Sequence, residues 1–380
     1  MRDIFVVSDN IFSPIGSTTA ENFDQLKKNI SGIRRWEFPS ISPDPMYASL
    51  LPRGANPLPA EDNRNLTRFE QLLIASLKSA LQSSDIQASD PRTLLIVSTT
   101  KGNISLLETE KMSPELEKRL ALHHSARRVA EYFHCKNKPI IVSQACISGL
   151  LAIITGMRLL QSGAHDHALI VGADLITKFI WSGFQSFQAI SPEPCRPFDA
   201  NRKGISLGDG AATIVLSATA GKTSSHIRIC GGSVTNDANH ISGPSRTGEE
   251  LFLAIRKTLA EAKISPEEVD FISAHGTATI YNDEMEAKAI NLANLQSVPV
   301  NSLKGFYGHT LGAAGLIESI VSIQSLKEGI LIPTKGYNQP GTSKPIRVSN
   351  QLQEGKYRKC LKTASGFGGC NAAILISKED

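Results

Sequence analysis

Short apolar runs alternate with longer segments of helical period along most of the chain. Short, mostly apolar runs predict buried strands at 4–7, 93–98, 140–142, 168–173, 211–216, 227–234, 271–274, 298–303, 361–364 and 372–376. Helices are predicted where apolar residues recur every three to four positions, or where the composition is helical: 22–29, 66–81, 110–133, 147–160, 248–262 and 312–326. The Pro-, Ser- and Asn-rich segment 36–65 predicts a loop. This alternation favours an α/β fold with mostly parallel central strands.

The strand pattern also indicates an internal duplication. GDGAATIVLS (208–217) and GFGGCNAAILIS (366–377) both have a glycine turn, then small residues and a strand. Between them, the small polar residues 217–225 predict a boundary. We therefore expect an N-terminal half over residues 1–219 and a C-terminal half over residues 220–380.

Composition and charge narrow the functional classes. The chain has 380 residues, 41% of them hydrophobic, and a net charge of +4 without a dense Lys/Arg run, which argues against nucleic-acid binding. No apolar run reaches the roughly 18 residues that a membrane span needs, and the apolar segment near the N-terminus is too short for a signal peptide. The six cysteines show no CxxC and no paired spacing with histidines, which argues against zinc. We expect a cytoplasmic protein with reduced thiols and no metal.

One cysteine stands where a strand gives way to a helix. Cys146 follows the strand at 140–142 and precedes the helix that begins at residue 147, which is the geometry of a nucleophile elbow. Small neighbours, Ala145, Ser148 and Gly149, would allow close approach to its sulfur. A helix N-terminus and a nearby imidazole would lower the thiol pKa and favour the thiolate. The alternative is a small cysteine packed in a strand–helix junction.

Two histidines lie in glycine-rich turns after predicted strands. His275 is in AHGTAT (274–279), with Asp283 and Glu286 downstream, and His309 is in KGFYGHTLGAAG (304–315), with Glu318 beyond. Each could be a hydrogen-bonded structural histidine. Their position in loops at strand ends favours a functional role, because such loops often carry function.

The ordered motifs resemble the β-ketoacyl-acyl-carrier-protein synthases of the elongating type. The resemblance rests on SQAC (143–146), HGTAT with the two carboxylates downstream, KGFYGHTLGAAG and GFGG (366–369), together with SPIG (13–16) and RPFDANRKGISLGDGAA (196–212). It runs the length of the chain. It implies the thiolase fold, with two similar halves in five αβαβα layers, usually as a homodimer or as a heterodimer with a related synthase-like subunit.

The resemblance also implies a reaction. The family's cysteine, which matches Cys146, takes an acyl group from the phosphopantetheine of an acyl carrier protein. Malonyl-carrier protein then loses CO2, and the carbanion attacks the acyl thioester. His275 and His309 would stabilise the charge that develops on the malonyl thioester oxygen. Lys304, paired with Glu318, would give electrostatic support.

Further roles follow from the same resemblance. The backbone N–H groups of Cys146 and Phe367 would form an oxyanion hole, and Phe367 would be the gate of the acyl pocket. Thr277 and Thr279 would bind the pantetheine arm. Structural support is implied for Asp283 and Glu286. No cofactor is implied beyond the phosphopantetheine carried by the carrier protein.

Several residues depart from the family pattern, and none of them is a catalytic group: Gln144, Asp209, Ala278, Asn282, Ser365 and Cys370. Gln144, Ser365 and Cys370 lie near the expected pocket and leave the substrate open. The chain is also somewhat short for the family. We therefore expect a specialised pathway, such as a pigment or polyene system, in preference to housekeeping fatty-acid synthesis.

Three rival functions remain. A thiolase could use Cys370 as a second cysteine, but by resemblance thiolases lack the Lys304 motif. A chain-initiating synthase would have asparagine in place of one histidine. A chain-length-factor-like subunit would only shape the pocket of a heterodimer, and such subunits typically lose the nucleophilic cysteine.

Docking of an acidic carrier protein would need basic residues near the pocket. Arg64 and Arg68 flank the start of the predicted helix 66–81, where the family often places such residues. Solvated helix charge is an equally good explanation.

Overall fold

The computed structural model of the chain describes residues 2–52, 54, 57–59, 62, 65–221, 226–239 and 243–379. Its strands are β1 (Phe5–Phe12), β2 (Arg34–Trp36), β3 (Met46–Ser49), β4 (Thr93–Ser98), β5 (Ile140–Val142), β6 (His167–Asp174), β7 (Leu207–Gly208), β8 (Gly210–Ser217), β9 (His226–Asn236), β10 (Phe271–Ser273), β11 (Pro299–Asn301), β12 (Ile330–Leu331), β13 (Arg347–Val348), β14 (Gln353–Glu354), β15 (Lys359–Gly366) and β16 (Cys370–Glu379). Its α-helices are α1 (Thr19–Lys27), α2 (Arg68–Gln82), α3 (Pro114–Leu120), α4 (Leu122–Tyr132), α5 (Ser148–Gln161), α6 (Lys178–Ser186), α7 (Glu249–Ala262), α8 (Ile280–Leu292), α9 (Lys304–Tyr307) and α10 (Ala314–Glu328).

The main sheet contains the same arrangement twice. Among the described residues, eleven strands pair in the order β13-β11-β10-β15-β16-β9-β1-β8-β6-β4-β5. In one half, β1-β8-β6 are antiparallel and β6-β4-β5 are parallel; in the other, β9-β16-β15 are antiparallel and β15-β10-β11 are parallel. The halves join where β1 meets β9, at the pairs Phe5↔Arg228 and Val6↔Ile227. The fold therefore has two pseudo-duplicated halves.

The expectation of mostly parallel central strands is wrong for the middle of the sheet. Parallel pairing is confined to the outer strands of each half, whereas the strands around the β1–β9 junction are antiparallel. One antiparallel pair has a local cause, because β15 and β16 are joined by the short GFGG turn and must therefore run in opposite directions. The pairs β8–β1, β1–β9 and β9–β16 join strands that are distant in sequence.

Alternate side chains of the strands pack against different helices, which produces five layers. Ile96 in β4 belongs to the central core with α5 and α10, and Val97 belongs to the outer core with α2 and α4. In the other half, Ile374 in β16 faces the central helices, and Leu375 packs with α7 and α8. The order is helices, half-sheet, α5 with α10, half-sheet, helices. The two central helices thus bring the two halves together.

The central helices cross with their backbones in contact. A Cβ atom at Gly149, at the start of α5, would lie 2.9 Å from the carbonyl oxygen of Gly312. A Cβ atom at Gly315, at the start of α10, would lie 2.6 Å from the backbone nitrogen of Leu150. Real Cβ atoms do not approach backbone atoms this closely, so glycine is required at both positions. The crossing draws together the two turns that precede these helices.

Some elements differ from the sequence-based expectation. The predicted loop at 36–65 contains β3, and the predicted helix at 110–133 is two helices that meet at Ala121. Helices α6 and α8 were not predicted; α8 buries Asp283 and Glu286 among its apolar residues, so its apolar pattern has no single face. The boundary that we predict between residues 219 and 220 lies in the connection from β8 to β9, partly outside the described residues, and stays a prediction.

None of the helices in the described ranges is long and apolar enough to cross a membrane.

Candidate active site

Cys146 lies in a tight turn between β5 and α5. Ala145 has a φ of 43°, in the left-handed region, and this reverses the chain just before the cysteine. The Ser148 hydroxyl donates to the Ala145 carbonyl at 2.6 Å and accepts from the Gln144 N–H at 2.8 Å. These bonds fix the turn, and Cys146 itself is buried, with 8% of its surface exposed.

Two imidazoles from the other half of the molecule lie beside this cysteine. His275 follows β10, and His309 lies in the turn between α9 and α10. Their ring centroids are 5.2 Å apart, with the ring planes at 84°. The Cys146 sulfur and one nitrogen of each ring all lie within 4.8 Å of one another. The structure therefore brings together three residues that are up to 163 positions apart in the chain.

A thiol and two imidazoles are also a donor set that zinc can use. The sequence spacing did not reveal this set. However, the Lys304 ammonium lies 3.5 Å from Nδ1 of His275, and its positive charge opposes a divalent cation at this point. The charge distribution therefore suits proton transfer and oxyanion binding better than metal binding.

Lys304 and Glu318 form a buried ion pair below His275. The Lys304 ammonium donates to Oε1 of Glu318 at 2.5 Å and to the backbone carbonyl of His275 at 2.8 Å. Both side chains are almost completely buried. The ammonium therefore holds the backbone of His275 as well as supplying charge close to its ring.

A second lysine, Lys362, joins the same carboxylate and was missed by the sequence analysis. Its Nζ lies 2.8 Å from Oε2 of Glu318 and donates to the carbonyls of Ser273 at 3.1 Å, Ala274 at 3.3 Å and Thr363 at 2.6 Å. The signal that could have revealed it is a lysine in the middle of the predicted buried strand at 361–364.

Glu286 holds the His275 turn from α8. Its two carboxylate oxygens accept from the backbone N–H groups of His275 and Gly276, each at 2.8 Å, and Oε1 also accepts from the Thr363 hydroxyl at 2.7 Å. Glu286 is fully buried. It fixes the turn by binding its backbone and does not face the cysteine sulfur.

Asp283 holds the next residues of the same turn. Its carboxylate accepts from the N–H groups of Thr277 at 2.9 Å, Ala278 at 3.2 Å and Phe198 at 2.7 Å. Burial raises the pKa of this carboxyl to about 6, against the opposing effect of these hydrogen bonds and of Arg202. The turn that carries His275 is thus fixed by two carboxylates from one helix.

A cavity of about 380 Å³ contains both the cluster and the two threonines predicted to bind the pantetheine arm. Cys146, His275 and His309 line it, together with Thr277 and Thr279. The hydroxyl oxygens of the two threonines are 2.8 Å apart, so one donates to the other and the pair retains a free donor or acceptor for a bound amide.

Phe367 lies across this cavity in the turn between β15 and β16. Its ring is stacked on Phe184, with centroids 5.5 Å apart, and meets Phe187 edge to face at 5.2 Å. The ring remains 36% exposed. The Phe367 N–H also bonds the Cys146 sulfur and acts to lower the thiol pKa. The residue therefore combines an aromatic wall with a hydrogen-bond donor to the Cys146 sulfur.

The resting thiol is protonated, which corrects the expectation of a thiolate. Burial raises the pKa of Cys146 to about 12, the nearby Cys370 thiol adds to the rise, and Lys304 opposes it. The loss of hydration outweighs the favourable helix terminus that the sequence analysis relied on. Ionisation of the sulfur must therefore accompany the reaction.

Both imidazoles are neutral at rest. Burial and the Lys304 ammonium hold the pKa of His275 well below its usual range, and the same two causes act on His309. Neither ring nitrogen of His309 has a hydrogen-bond partner in the described part of the chain. A neutral imidazole with an unpaired nitrogen can take a proton from a thiol or donate one to a developing oxyanion.

Some of the residues that depart from the family pattern lie in or next to this cavity. Cys370 donates to the Phe367 carbonyl at 3.4 Å and lies 3.8 Å from the carbonyl of Gln144, and Ser365 donates to Asn371 at 2.7 Å. Ser365 lines the cavity, as does Asn282. These two side chains therefore contribute to the wall of the cavity, whereas Cys370 lies behind the Phe367 turn.

Asp209 is a further departure with a supporting position. Its carboxylate accepts from the N–H groups of Leu51 at 3.0 Å and Ile176 at 2.6 Å. Burial raises its pKa to about 6. It joins two loops and does not line the cavity of the cluster.

Of the two arginines predicted to dock a carrier protein, the structure describes only Arg68. Arg64 lies outside the described residues. Arg68 donates to the backbone carbonyls of Pro52 at 2.6 Å and Leu51 at 3.4 Å, so its guanidinium holds a loop. A docking role for either arginine stays a prediction.

Comparison with known proteins gives matches over most of the chain. The family described as "Beta-ketoacyl synthase, N-terminal domain" matches residues 1–222, and "Beta-ketoacyl synthase, C-terminal domain" matches residues 226–338. The chain is 28% identical over 413 residues to 3-oxoacyl-[acyl-carrier-protein] synthase 2 of Vibrio cholerae, covering 99% of each protein.

Solved structures give the same result. The ishigamide ketosynthase/chain length factor has a TM-score of 0.89 at 25% identity and covers 99% of both chains. A ketosynthase in complex with its chain length factor from Xenorhabdus doucetiae has a TM-score of 0.88 at 25% identity, covering 99% of this chain and 98% of the other. Both similarities extend over the two half-sheets and the turns that carry the cluster.

Proposed function

The chain belongs to the β-ketoacyl synthase family, and we propose that it is a catalytically active condensing acyltransferase of that family. The reaction is the decarboxylative Claisen condensation of an acyl group on Cys146 with malonyl-acyl carrier protein, which gives 3-oxoacyl-acyl carrier protein. The observation that supports it is the placement of the Cys146 sulfur and the nitrogens of His275 and His309 within 4.8 Å of one another, in one cavity.

The first half of the reaction loads the cysteine. The Cys146 thiol gives its proton to a neutral imidazole, for which the unpartnered nitrogen of His309 is available, and the sulfur attacks the acyl thioester carbonyl. The N–H groups of Cys146 and Phe367 bind the tetrahedral oxyanion. The C–S bond to pantetheine then breaks, and the leaving thiolate takes the proton from the imidazolium.

The second half builds the new bond. The C–C bond to the malonyl carboxylate breaks, CO2 leaves, and the electron pair forms an enolate on the thioester. Donors on His275 and His309 stabilise its oxygen, supported by the buried Lys304 ammonium. The enolate carbon attacks the acyl carbonyl on Cys146, the C–S bond breaks, and the released thiolate takes from solvent the one proton that the overall reaction consumes. A chain longer by two carbons remains on the carrier protein.

Partners and pathway follow from the same proposal. Acyl carrier protein delivers both substrates, with Thr277 and Thr279 binding the pantetheine arm. The Xenorhabdus relative is in complex with its chain length factor, which supports assembly with a related synthase-like subunit. Assembly with a second copy is the other arrangement that the family resemblance implies. Fatty-acid synthesis and a specialised polyene or polyketide pathway both fit, and we place the protein in the cytoplasm. The altered pocket residues favour the specialised pathway.

The direct test is the product. The protein is incubated with acyl- and malonyl-carrier protein, and both proteins are analysed by intact-mass spectrometry, with a His275→Ala variant, which keeps the His309 imidazole for loading, used to trap the acyl group on Cys146. A two-carbon extension in the wild type and an acyl adduct on the variant support the proposal. Absence of both, alone and with a co-expressed synthase-like subunit, refutes it. Comparison of saturated and polyene primers then separates the two pathways.

A chain-length-factor-like role is the alternative. The retained Cys146 and both imidazoles argue against it, because a subunit that only shapes a pocket has no need for this cluster. The rate of thiol labelling does not discriminate here, since the resting thiol is protonated. Replacing Cys146 with alanine in the assembled complex does: a partner subunit would keep the complex active. Turnover of acetyl-CoA without carrier protein would instead indicate a thiolase.

A further inference from the structure

Four buried charges lie beneath the two imidazoles. Lys304 comes from α9, Glu318 from α10, Glu286 from α8 and Lys362 from β15, and none is more than 4% exposed. In the proposed reaction Lys304 stabilises the developing negative charge, and Glu318 and Glu286 support the site. No role has yet been described for Lys362.

Lys362 and Lys304 both contact the Glu318 carboxylate. Lys304 bonds Oε1 of Glu318 at 2.5 Å, and Lys362 lies 2.8 Å from Oε2. Glu286, which accepts from two backbone N–H groups and one hydroxyl, is a second buried carboxylate in the same group. With Lys362 present, two ammonium groups face two carboxylates. Without it, one negative charge would remain uncompensated in a site closed to water.

Lys362 also holds the backbone that ends in His275. Its ammonium binds the carbonyls of Ser273 and Ala274, and Lys304 binds the next carbonyl, that of His275. Two ammonium groups thus bind the backbone carbonyls of three consecutive residues, Ser273, Ala274 and His275. The reach of the His275 ring into the cavity depends on this strand end.

We propose that Lys362 is a positioning residue of this site: its ammonium balances the second buried carboxylate and fixes the strand end, so that both imidazoles meet the substrate uncharged. The inference rests on the proposed condensation for its functional meaning. The charge effect itself does not depend on turnover and can be measured on the resting protein.

The groups that face the imidazoles set the direction of the effect. Lys304, His309 and Lys362 all act to lower the pKa of His275, after burial. The pKa of His309 is lowered, after burial, by Lys304, Lys362 and Lys101. The opposite charge comes from Glu318, from Glu286 and from Asp174, which pairs with Lys101 at 2.9 Å. Removal of the Lys362 charge is therefore expected to raise the pKa of both imidazoles.

The test uses the neutral variant Lys362→Met and a charge-restoring double variant, Lys362→Met with Glu318→Gln. The double variant returns the buried group to one ammonium and one carboxylate. Lys359→Met, on the same strand but at the surface beside Glu268, is the matched control. Lys362→Arg keeps the positive charge. If the methionine variant does not fold, the arginine variant replaces it and tests the positioning of the strand end alone.

Two measurements are made on each protein. Histidine-selective NMR, assigned with His275→Asn and His309→Asn, reports imidazole titration without turnover. Release of CO2 from malonyl-carrier protein between pH 5.5 and 8 gives kcat, KM and the acidic limb of the profile. For Lys362→Met we expect both imidazole titrations and the acidic limb to move up by about half a pH unit or more. We expect kcat to fall about 30-fold with KM within about threefold.

The double variant separates charge from simple packing. Restored imidazole titration and a kcat about fivefold or more above that of Lys362→Met support the proposal. A double variant that is worse than the single one, or unchanged titrations in Lys362→Met, overturns it. If the wild type releases no CO2, the proposed condensation fails, and the NMR titration still decides the role of Lys362.

Discussion

His275 and His309 meet edge to face, with their ring centroids 5.2 Å apart, on the same cavity as the Cys146 sulfur. Two imidazolium ions at this separation in a buried site would repel strongly. Burial and the Lys304 ammonium hold the pKa of each ring well below its usual range. The pair is therefore suited to passing a single proton at a time, as the two halves of the proposed reaction require.

The two buried cysteines of the pocket should behave differently. Cys146→Ser is expected to lose the acyl adduct and to lower condensation by about a thousandfold or more, because the hydroxyl is a much poorer nucleophile at this site. Cys370→Ser is the matched control and should retain acylation within about threefold, since its sulfur faces the Phe367 carbonyl. Intact-mass spectrometry and product analysis measure both. Equal losses in the two variants would favour the thiolase alternative.

Alkylation of Cys146 should become steadily faster as the pH rises. Because burial raises the thiol pKa to about 12, the thiolate fraction grows about tenfold for each pH unit between 7 and 9. Iodoacetamide labelling followed by peptide mass spectrometry gives the rate, with a small free thiol such as N-acetylcysteine for comparison. A plateau for Cys146 below pH 8 would show that the thiolate already exists at rest.

His309 should make the fold more sensitive to acid. Its folded-state pKa lies below that of the unfolded chain, so the unfolded state gains a proton that the folded state cannot bind. Stability is therefore lost as the pH falls below about 6.5, by up to about 1.4 kcal/mol per pH unit for one such group.

Urea unfolding of His309→Asn and wild type at pH 7.5, 6.5 and 5.5 measures this effect. The variant should lose less free energy of unfolding between pH 6.5 and 5.5 than the wild type. His123→Asn, at an exposed helix position, is the control and should follow the wild type. Parallel curves for wild type and His309→Asn would contradict the prediction.

The threonine pair should affect binding more than chemistry. Thr277→Val removes one of two hydroxyls that lie 2.8 Å apart in the cavity. We expect the KM for carrier-protein substrates to rise about tenfold, with kcat within about threefold, because one hydrogen bond to the pantetheine arm is lost. Steady-state kinetics measure this, with the exposed Thr219→Val as control. A fall in kcat at unchanged KM would count against the binding role.

Gly315→Ala should push the central helices apart. Its Cβ would lie 2.6 Å from the backbone nitrogen of Leu150. We expect a loss of about 1–3 kcal/mol in the free energy of unfolding and a kcat reduced about tenfold or more by displacement of the His309 turn. Gly183→Ala in α6 is the matched control, because nothing lies within 4 Å of its Cβ. It should be neutral or stabilising by up to about 1 kcal/mol.

Local patterns in the sequence predicted much of the fold. The run at 93–98 has the same bounds as β4, and the change from strand to helix around Cys146 is where the pattern placed it. These elements are apolar on both faces or strongly periodic, so the residues within each element are enough to predict it. Helix α8 was not predicted because it buries Asp283 and Glu286, and a helix that fixes a turn with carboxylates has no apolar stripe.

Properties that depend on the meeting of distant segments were not predictable. The Cys146 thiol is exposed to water in any isolated strand–turn–helix, and its pKa is raised chiefly by burial, which requires the opposite half of the molecule. The zinc-like donor set and the role of Lys362 have the same origin, because their members come from different elements. The resemblance to a known family supplied the candidate catalytic residues, but it did not supply Lys362, which lies outside the motifs that carry the resemblance.

The crossing at Gly149 and Gly315 means that backbone contact sets the distance between Cys146 and His309, which lie in the turns before the two central helices. Side chains that shape the cavity, such as Ser365 and Phe184, lie on other elements and can be exchanged without altering that distance. Reactivity and selectivity are thereby controlled by separate parts of the molecule. One rigid frame can then serve many acyl chains, and new specificities can be sought by changing the walls alone.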